Sequence, residues 1–499
     1  MDARTVGLDA LPWQQSYATL PERLYKRVGP RPAPAPGWIR LNHAVARSLR
    51  IDPASLAGPD GLAVLAGNRV PAAAEPLAQA YAGHQFGHFV PQLGDGRALL
   101  LGELTDSTGI RRDVQLKGSG PTPFSRGGDG RAPIGPVIRE YLGSEALAGL
   151  GVATTRALAA VTTGGTVYRW QPEPGGVLAR VAASHLRVGT FEYAAARGDD
   201  AGVRALADYA LDRHYPDRAG AEHPYQALLQ GVAEATADLV ADWMLVGFIH
   251  GVMNTDNLAI AGETLDYGPF GFMDAFDPAT VYSSIDTQGR YAYDQQPVMA
   301  EWNLARLAEA LLPLLGTGRE QALARAHEAL ACFRPRFEAR HQAGLRARIG
   351  LAEGRDGDDA LVNDLLRRMA EQGADWTLTF RRLSELPSGT AEADGPVRRL
   401  FQDPAAFDGW AASWRQRLAA EVRSDARRRT AMRAVSPAYT LRNHLAQWAV
   451  DAATERLDFA PMGQLLQVLA EPYADHPGWE HLAQPPRPEA RVTRTFCGT

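Results

Sequence analysis

The sequence contains very little cysteine and very little lysine for its length of 499 residues. The two cysteines, Cys332 and Cys497, are too few for a disulfide framework, which indicates a reducing compartment. Only Lys26 and Lys117 are lysines among the 52 basic residues. Because a GC-rich genome explains the preference for arginine, each remaining lysine is a candidate for a position that needs a compact ammonium group.

Long apolar runs and an excess of positive charge are also missing. No run is long enough to span a bilayer, and the first residues do not resemble a secretory signal. The net charge of −5 gives no general attraction to nucleic acid or to an anionic membrane. We therefore expect a soluble, cytoplasmic, monomeric protein whose partners are neither nucleic acid nor membrane.

The order of predicted elements indicates an α+β fold, in a chain too long for one ordinary core. A proline-broken N-terminal extension precedes a strand-rich part with one helix, a helical part, and further C-terminal helices with a tail. This order is that of a two-lobed, protein-kinase-like fold with a nucleotide cleft between the lobes. The four parts are predicted at residues 1–75, 76–195, 196–345 and 346–499. Strands are predicted at 98–104, 113–117, 154–162 and 177–182, a hairpin within 250–266, and helices near 136–150 and at 225–246, 300–345, 358–372, 405–434 and 438–456.

Lys117 ends a predicted strand, and the helix that follows carries Glu140. A kinase-like site needs a strand lysine that holds nucleotide phosphates and a helical glutamate that orients the lysine. The order and the spacing fit this requirement. Glu145 on the same helix is an alternative partner, and a surface lysine with a surface glutamate is the simpler structural interpretation. The scarcity of lysine favours the functional interpretation.

Two glycine-rich segments lie on either side of Lys117. Gly94, Gly96 and Arg97 precede a strand, where glycines let backbone N–H groups approach phosphate oxygens closely. Taken alone, this pattern is more typical of a β-turn. Asp129 and Gly130 belong to the second segment, which we interpret as a mobile cover over the nucleotide rather than as a plain linker.

The run His-Gly-Val-Met-Asn-Thr-Asp-Asn that begins at His250 gives the strongest indication of chemistry. Asn257 stands seven residues after this histidine and Asp266 opens Asp-Tyr-Gly, as the metal-binding residues do in kinases. Such oxygen ligands suit Mg²⁺ or Mn²⁺, and a simple polar turn does not require this combination. Kinases place the catalytic Asp two residues after the histidine, but Val252 stands there. Either the chain is inactive, or Asp256 serves an acceptor that enters from another direction.

Two arginines complete the candidate set. Arg180 lies in a predicted strand and Arg187 follows shortly after it. Guanidinium groups bind phosphate through paired hydrogen bonds. By themselves these would be ordinary surface arginines, but beside a nucleotide site we expect them to hold phosphates deep in the cleft.

Segments through most of the chain closely resemble the selenoprotein O family. That family has a pseudokinase fold and acts as a protein adenylyltransferase, with ATP flipped so that the γ-phosphate is buried and the α-phosphorus faces the acceptor. The resemblance implies a bacterial, cysteine-containing member that uses ATP and Mg²⁺ or Mn²⁺. It implies transfer of AMP to Ser, Thr or Tyr hydroxyls of proteins, with release of pyrophosphate. The matching segments are residues 81–87, 92–97, 116–118, 127–131, 184–187, 250–257, 265–272 and 439–443.

The resemblance also implies a role for each candidate residue. Asp256 is implied as the proton acceptor, and Asn257 and Asp266 as metal ligands, with Asp266 also close to ATP. The implied nucleotide contacts are Lys117, Arg180 and Arg187 for the phosphates, with Glu140 paired to Lys117, and Gly94, Gly96, Arg97, Asp129 and Gly130 along the nucleotide.

Family members often carry selenocysteine or cysteine third from the C-terminus, where this chain has Cys497. Some relatives are regulated by a disulfide to a cysteine shortly after the Asp-Tyr-Gly segment. Residues 267–300 contain no cysteine, so we do not expect that form of redox control here. A mixed disulfide with glutathione or another protein stays open.

Two other functions stay open from the residues alone. A phosphotransferase with a displaced base would need the same ligands, and only Val252 and the family resemblance favour adenylyl transfer over it. A nucleotide-binding scaffold without chemistry has no need of two metal ligands beside Asp256, which argues against this third possibility.

Overall fold

A computed structural model describes residues 5–496, so Cys497 lies outside the described residues. The fold is α+β, with most strands in the first part of the chain and mainly helices after it. The strands are β1 (Tyr25–Arg27), β2 (Gly37–Leu41), β3 (Leu77–Gln79), β4 (Gly83–Gln85), β5 (His88–Val90), β6 (Ala98–Thr105), β7 (Arg111–Lys117), β8 (Ala132–Pro133), β9 (Arg156–Tyr168), β10 (Pro172–Ala182), β11 (Phe248–Ile249) and β12 (Gly271–Phe272).

The α-helices alternate with short turns and single-turn 3₁₀ segments. They are α1 (His43–Ser48), α2 (Pro53–Leu56), α3 (Pro59–Leu65), α4 (Ile134–Gly149), α5 (Val188–Ala195), α6 (Asp200–His214), α7 (Pro224–Val246), α8 (Gln296–Leu315), α9 (Arg319–Leu330), α10 (Phe333–Arg348), α11 (Asp358–Gln372), α12 (Trp376–Leu383), α13 (Gly395–Arg398), α14 (Pro404–Leu418), α15 (Asp425–Arg433), α16 (Asn443–Arg456) and α17 (Ala460–Leu469). Within residues 5–496, none of the helices has the length and apolarity that a membrane crossing requires.

Eight strands form one sheet, in the order β1-β3-β6-β7-β10-β9-β2 with β8 attached to β10. The strand pairs along this order are antiparallel. In the central strand β7, Lys117 lies opposite Ala98 of β6 and Leu178 of β10. Because strands flank this lysine on both sides, the start of its side chain is fixed in place.

The predicted N-terminal extension contributes to the same sheet. Strand β1 pairs with β3, and β2 pairs with β9, so both edge strands come from residues before 76. The prolines between them keep residues 30–36 out of regular structure. The domain boundaries given above stay predictions.

The main helix predictions are confirmed, and their ends follow local chemistry. Helix α4 carries Pro136 in its first turn and is followed by Gly151, whose φ is 79°. Helix α7 ends at Gly247, which has φ 73° and accommodates the left-handed turn. The region 300–345 contains parts of three helices, α8, α9 and α10, because the chain breaks around Gly316 and again near Cys332.

The prediction of a hairpin within 250–266 was largely wrong. The only antiparallel bridge within the range joins Leu258 and Thr264, while Ala259 bridges to Arg187 and Thr264 also bridges to Thr154. Strand β11 pairs instead with β12. The residues between them adopt turns and one 3₁₀ segment, Thr255–Asn257, because their polar side chains bond to other parts of the chain.

The C-terminal helices support the part of the fold that carries the candidate site. Helices α16 and α17 pack on α4, the helix of Glu140. At the start of α16, the amide group of Asn443 pairs with the backbone of Phe272 in β12, at 3.0 and 2.8 Å. The buried guanidinium of Arg442 donates to Asp274 at 2.7 Å and to Asp375 at 2.7 and 3.1 Å. The matching segment 439–443 therefore has a structural role, which the sequence did not reveal.

We predict that Arg442→Leu destabilises the protein, because it leaves Asp274 and Asp375 buried without their cation. Breaking such a buried pair costs about 3–5 kcal/mol, which corresponds to a fall in Tm of roughly 3–5 °C for a chain of this size. Scanning calorimetry of the full chain measures this change. Arg456→Leu is the matched control, since Arg456 is exposed and forms an ion pair with its exposed neighbour Glu455. Equal Tm values for the two variants would contradict the prediction.

Candidate active site

A cavity of about 580 Å³ opens where β6, β7, β10 and α4 face the loops that follow β11. All the predicted site residues line this cavity, although they come from distant parts of the chain. Their chemical roles stay predictions, whereas their convergence is a property of the fold. These residues are Gly94, Gly96, Arg97, Lys117, Asp129, Gly130, Glu140, Arg180, Arg187, Asp256, Asn257 and Asp266.

Lys117 makes the contact expected of a kinase-like lysine. Its Nζ lies 2.6 Å from Oε2 of Glu140 and 2.8 Å from Oδ1 of Asp266. The alternative partner, Glu145, turns away and accepts hydrogen bonds from Arg156 and from Asn42 at 2.8–2.9 Å. The geometry therefore selects Glu140.

Asp266 is the point at which three cations meet. Arg180 donates to its Oδ1 at 2.8 Å, beside Lys117, and Arg187 donates to its Oδ2 at 3.3 Å. Burial tends to raise the pKa of Asp266, but the three cations outweigh it and hold that pKa well below its usual range. Asp266 has φ 65°, which a residue with a side chain adopts rarely and at a cost in free energy. The ion pairs hold it in this conformation.

Arg187 has hydrogen-bond donors that the described residues do not use. Its side chain is 1% exposed, yet Nε and Nη1 have no hydrogen-bond partner among the described residues. Its guanidinium lies 4.4 Å over the ring of Tyr81, and Nη1 is 3.5 Å from Asp95. Buried unsatisfied donors are costly, so these atoms fit an anionic ligand such as a phosphate.

The turn that carries Arg187 is fixed by a second buried cluster. Asp113 accepts the backbone N–H and Nδ1 of His185, both at 2.9 Å, and pairs with Arg213. Arg213 in turn donates to the carbonyl of Ala183. Burial lowers the pKa of His185 to about 4, despite the hydrogen bond to Asp113, so this histidine is neutral at pH 7.

One carboxylate oxygen of Asp256 accepts a hydrogen bond, and the other has no partner among the described residues. Its Oδ2 accepts from Nε2 of Gln85 at 3.0 Å, whereas its buried Oδ1 has no partner in the described part of the chain. Burial raises the pKa of Asp256 to about 6, and the hydrogen bond from Gln85 opposes this shift. A carboxylate of this kind can accept a proton from a hydroxyl group near neutral pH. Val252, at the position of a kinase base, is buried and lines the same cavity.

The side-chain oxygens of Asn257 and Asp266 are compatible with the ligands of a small divalent cation. Nδ2 of Asn257 donates to the carbonyl of Val252 at 3.1 Å, which leaves its Oδ1 for another contact. No cluster of three His, Cys, Asp or Glu side chains that could hold a metal occurs among residues 5–496. One or two protein oxygens together with substrate phosphates are the usual set for Mg²⁺ in nucleotide sites, so these two residues are compatible with it.

The glycine-rich segments meet at the rim of the cavity. Gly94 has φ 93°, and a Cβ there would lie 2.6 Å from the ring of Phe124; a Cβ on Gly96 would lie 2.9 Å from the carbonyl of Phe124. These glycines therefore let the two segments approach each other. The carboxylate of Asp129 pairs with Arg169 at 2.9 Å, which ties the second segment to the turn between β9 and β10.

Four residues near the site were missed as functional candidates. Gln115 and Asp95 brace the arginines, while Tyr81 and Gln85 belong to the matching segment 81–87, to which no chemistry was assigned. The only signal for Tyr81 and Gln85 was that segment itself. Their partners lie up to 171 residues away, a separation that no local pattern reveals.

A buried cluster of cations facing a cavity, side-chain oxygens compatible with a divalent metal and a carboxylate with an unpartnered oxygen fit a site for group transfer from a phosphorylated substrate. Comparisons with known proteins specify the class. The family model for "Protein adenylyltransferase SelO" matches residues 8–470. The chain therefore belongs to the SelO family of protein adenylyltransferases, and it is a nucleotidyltransferase.

Close relatives extend over nearly the whole chain, and each is called "Protein nucleotidyltransferase YdiU". The protein of Alkalilimnicola ehrlichii is 61% identical over 488 residues, which are 98% of this chain and 99% of the relative. That of Bradyrhizobium sp. strain ORS 278 is 58% identical over 488 residues, with the same coverage. That of Methylorubrum extorquens strain PA1 is 59% identical over 493 residues, again 98% and 99% of the two chains. The resemblance to the selenoprotein O family is thus confirmed.

We predict that Glu140→Gln weakens ATP binding roughly tenfold, about 1.4 kcal/mol, because Lys117 loses the charge that orients it. Glu145→Gln on the same helix is the matched control, since Glu145 bonds to Arg156 and Asn42 instead. Isothermal titration with ATP and Mg²⁺ measures both affinities. If the two variants weakened binding equally, Glu140 would have no special place in the site.

Proposed function

We propose that this adenylyltransferase moves AMP from ATP to Ser, Thr or Tyr hydroxyls of proteins, in a two-lobed, protein-kinase-like fold. Two features support such a fold: an antiparallel sheet with α4 against it, and a helical part whose loops carry Asp256 and Asp266. ATP would occupy the cavity between these parts. The proposed chemistry does not depend on a movement of the two parts relative to each other when ATP binds.

One observation carries the proposal. Asp256, whose carboxylate engages only one of its oxygens among the described residues, lines the same cavity as the cation cluster around Asp266, while apolar Val252 occupies the position of a kinase base. A γ-phosphate held deep among Lys117 and the two arginines would leave the α-phosphorus nearer the opening. Flipped ATP of this kind explains why no carboxylate is needed at Val252.

The reaction follows from these positions. The acceptor hydroxyl oxygen bonds to the α-phosphorus, the bond from that phosphorus to the α–β bridging oxygen breaks, and pyrophosphate leaves with the bonding electrons. Asp256 accepts the hydroxyl proton. Lys117, Arg180 and Arg187 stabilise the charge that builds up on the leaving phosphates. Mg²⁺ or Mn²⁺, when held by Asn257 and Asp266, would supply further charge neutralisation.

Labelled ATP distinguishes adenylyl transfer from the alternatives. The purified protein is incubated with Mg²⁺ or Mn²⁺, a cell lysate as the source of acceptors, and ATP labelled at either the α- or the γ-phosphate. We expect label in protein from the α position alone, and none when the metal is omitted. Label from the γ position alone would identify a kinase with an unusual base. No label from either position, with ATP binding verified separately, would favour a scaffold.

We predict that Asp256→Asn lowers kcat for AMP transfer by roughly 10²–10⁴-fold, the usual contribution of a general base. ATP affinity should change little, because the cations that hold the phosphates remain. The two quantities come from initial rates at saturating ATP and from titration calorimetry. Asp217→Asn is the control, since Asp217 is exposed. A fully active Asp256→Asn enzyme would remove Asp256 from this role.

A further inference from the structure

The segment 81–87 forms a small structure of its own beside the candidate base. Among residues 5–496, strands β4 and β5 pair only with each other, and their two-residue turn, Phe86 and Gly87, has φ 51° and 85°. Positive φ at both positions is typical of a type I′ turn, where Asn and Gly are usual and Phe is not. The strained conformation of Phe86 must therefore be maintained by contacts outside the turn.

Those contacts are to the loop that carries Asp256. Three consecutive residues of the hairpin donate to three consecutive side chains of that loop. The backbone N–H of His84 donates to Oγ1 of Thr255 at 2.7 Å, and the backbone N–H of Phe86 donates to Oδ1 of Asn254 at 3.1 Å. Between them, Nε2 of Gln85 donates to Oδ2 of Asp256 at 3.0 Å.

The hairpin is itself held from behind. Nδ1 of His84 lies 2.5 Å from Oε1 of Glu192 in α5, and its ring packs edge-on against Trp302 of α8. The N–H of Ala82 donates to the carbonyl of Gly189 at 2.9 Å. Gln85 is thus presented by a strand that is fixed against helices α5 and α8.

Close packing leaves the Asp256 carboxylate little freedom. A Cβ on Gly83 would lie 2.7 Å from Oδ1 and 3.0 Å from Cβ of Asp256, so only glycine fits beside it. The side chain of Asp256 is confined on this side by Gly83 and held at Oδ2 by Gln85. Its Oδ1 remains without a partner within residues 5–496.

We propose that Gln85 is a positioning residue for AMP transfer. Its amide donates to Oδ2 of Asp256 and, together with Gly83 against Oδ1, holds this carboxylate in one orientation for the hydroxyl of the acceptor protein. This inference rests on the proposed role of Asp256 as the base. Gln85 does not touch the reacting atoms, and its effect is on the fraction of bound complexes in which the base is correctly placed.

The test replaces the hydrogen-bond donor while keeping the shape of the side chain. Gln85→Met is nearly isosteric but cannot donate, and Gln85→Ala removes both the donor and the packing. We expect both variants to lower kcat for incorporation of α-labelled ATP by about 10- to 100-fold, the scale expected for a misplaced catalytic group. KM for ATP and Tm should stay near the wild-type values. Gln467→Met, at an exposed position of α17, is the control for introducing methionine.

A companion variant tests the close packing around the Asp256 carboxylate without changing the amide of Gln85. Gly83→Ala keeps an allowed backbone, since Gly83 has no positive φ, but its methyl group would displace the Asp256 carboxylate. We expect it to lower kcat as Gln85→Met does. A fall in kcat accompanied by an equal loss of ATP affinity and of Tm, in all three variants, would show a merely structural role and overturn the inference.

The outcomes separate this inference from the proposed function. If Gln85→Met keeps wild-type kcat while Asp256→Asn loses it, Asp256 is the base and Gln85 does not position it. If Asp256→Asn is itself fully active, the proposed function of Asp256 fails first, and the inference fails with it. Loss of kcat in Asp256→Asn and Gln85→Met, with unchanged KM for ATP, supports both.

Discussion

The buried carboxylate of Asp266 is the interaction on which the rest of the site depends. Three cations from three different elements share its two oxygens: Lys117 from β7, Arg180 from β10 and Arg187 from the start of α5. Removing such groups from water costs several kcal/mol each, and the free energy of folding already compensates for this desolvation. A triphosphate that enters the cavity therefore finds cations that are already stripped of water and fixed in position. Binding of an anion there requires no further desolvation of these cations.

The architecture around this cluster follows from the same requirement. The sheet places Lys117 and Arg180 on neighbouring strands, with Leu178 in direct register with Lys117. Helix α4 brings Glu140 to the lysine, and helices α16 and α17 cover that helix from outside. Arg442 then joins the start of α16 to Asp274 and Asp375. The C-terminal helices thus stabilise the site although they supply none of its predicted ligands.

Much of the fold and most of the site could be predicted from the sequence, because both depend on local patterns in a fixed order. Apolar periodicity and glycine ends located α4 and α7, and the spacing of Lys117, Glu140, Asn257 and Asp266 followed a known arrangement. Their convergence on one cavity agrees with that arrangement. Glycine and proline positions also marked most of the breaks between elements.

The rest could not be predicted, because it depends on contacts between distant residues. Residues 250–266 contain turn formers and apolar residues typical of a hairpin, but polar contacts to the β4–β5 hairpin and the β11–β12 pairing determine the structure instead. Likewise, nothing local identifies Gln85 as the partner of Asp256, or Arg442 as the partner of Asp375. These pairs form because each buried polar group finds its hydrogen-bond partner in a distant part of the chain.

The absence of a carboxylate at Val252 has a physical consequence for the choice of base. In a kinase the base projects from the start of the loop, whereas Asp256 lies four residues further along and beside a metal-ligand candidate, Asn257. A carboxylate in that position would be drawn to a nearby cation unless another group restrained it. Gln85 and Gly83 restrain it from the side of the strand-rich part. The proposed base and the hairpin are therefore one arrangement: a carboxylate at Asp256 rather than at Val252 requires a support at that position, and the segment 81–87 contacts it there.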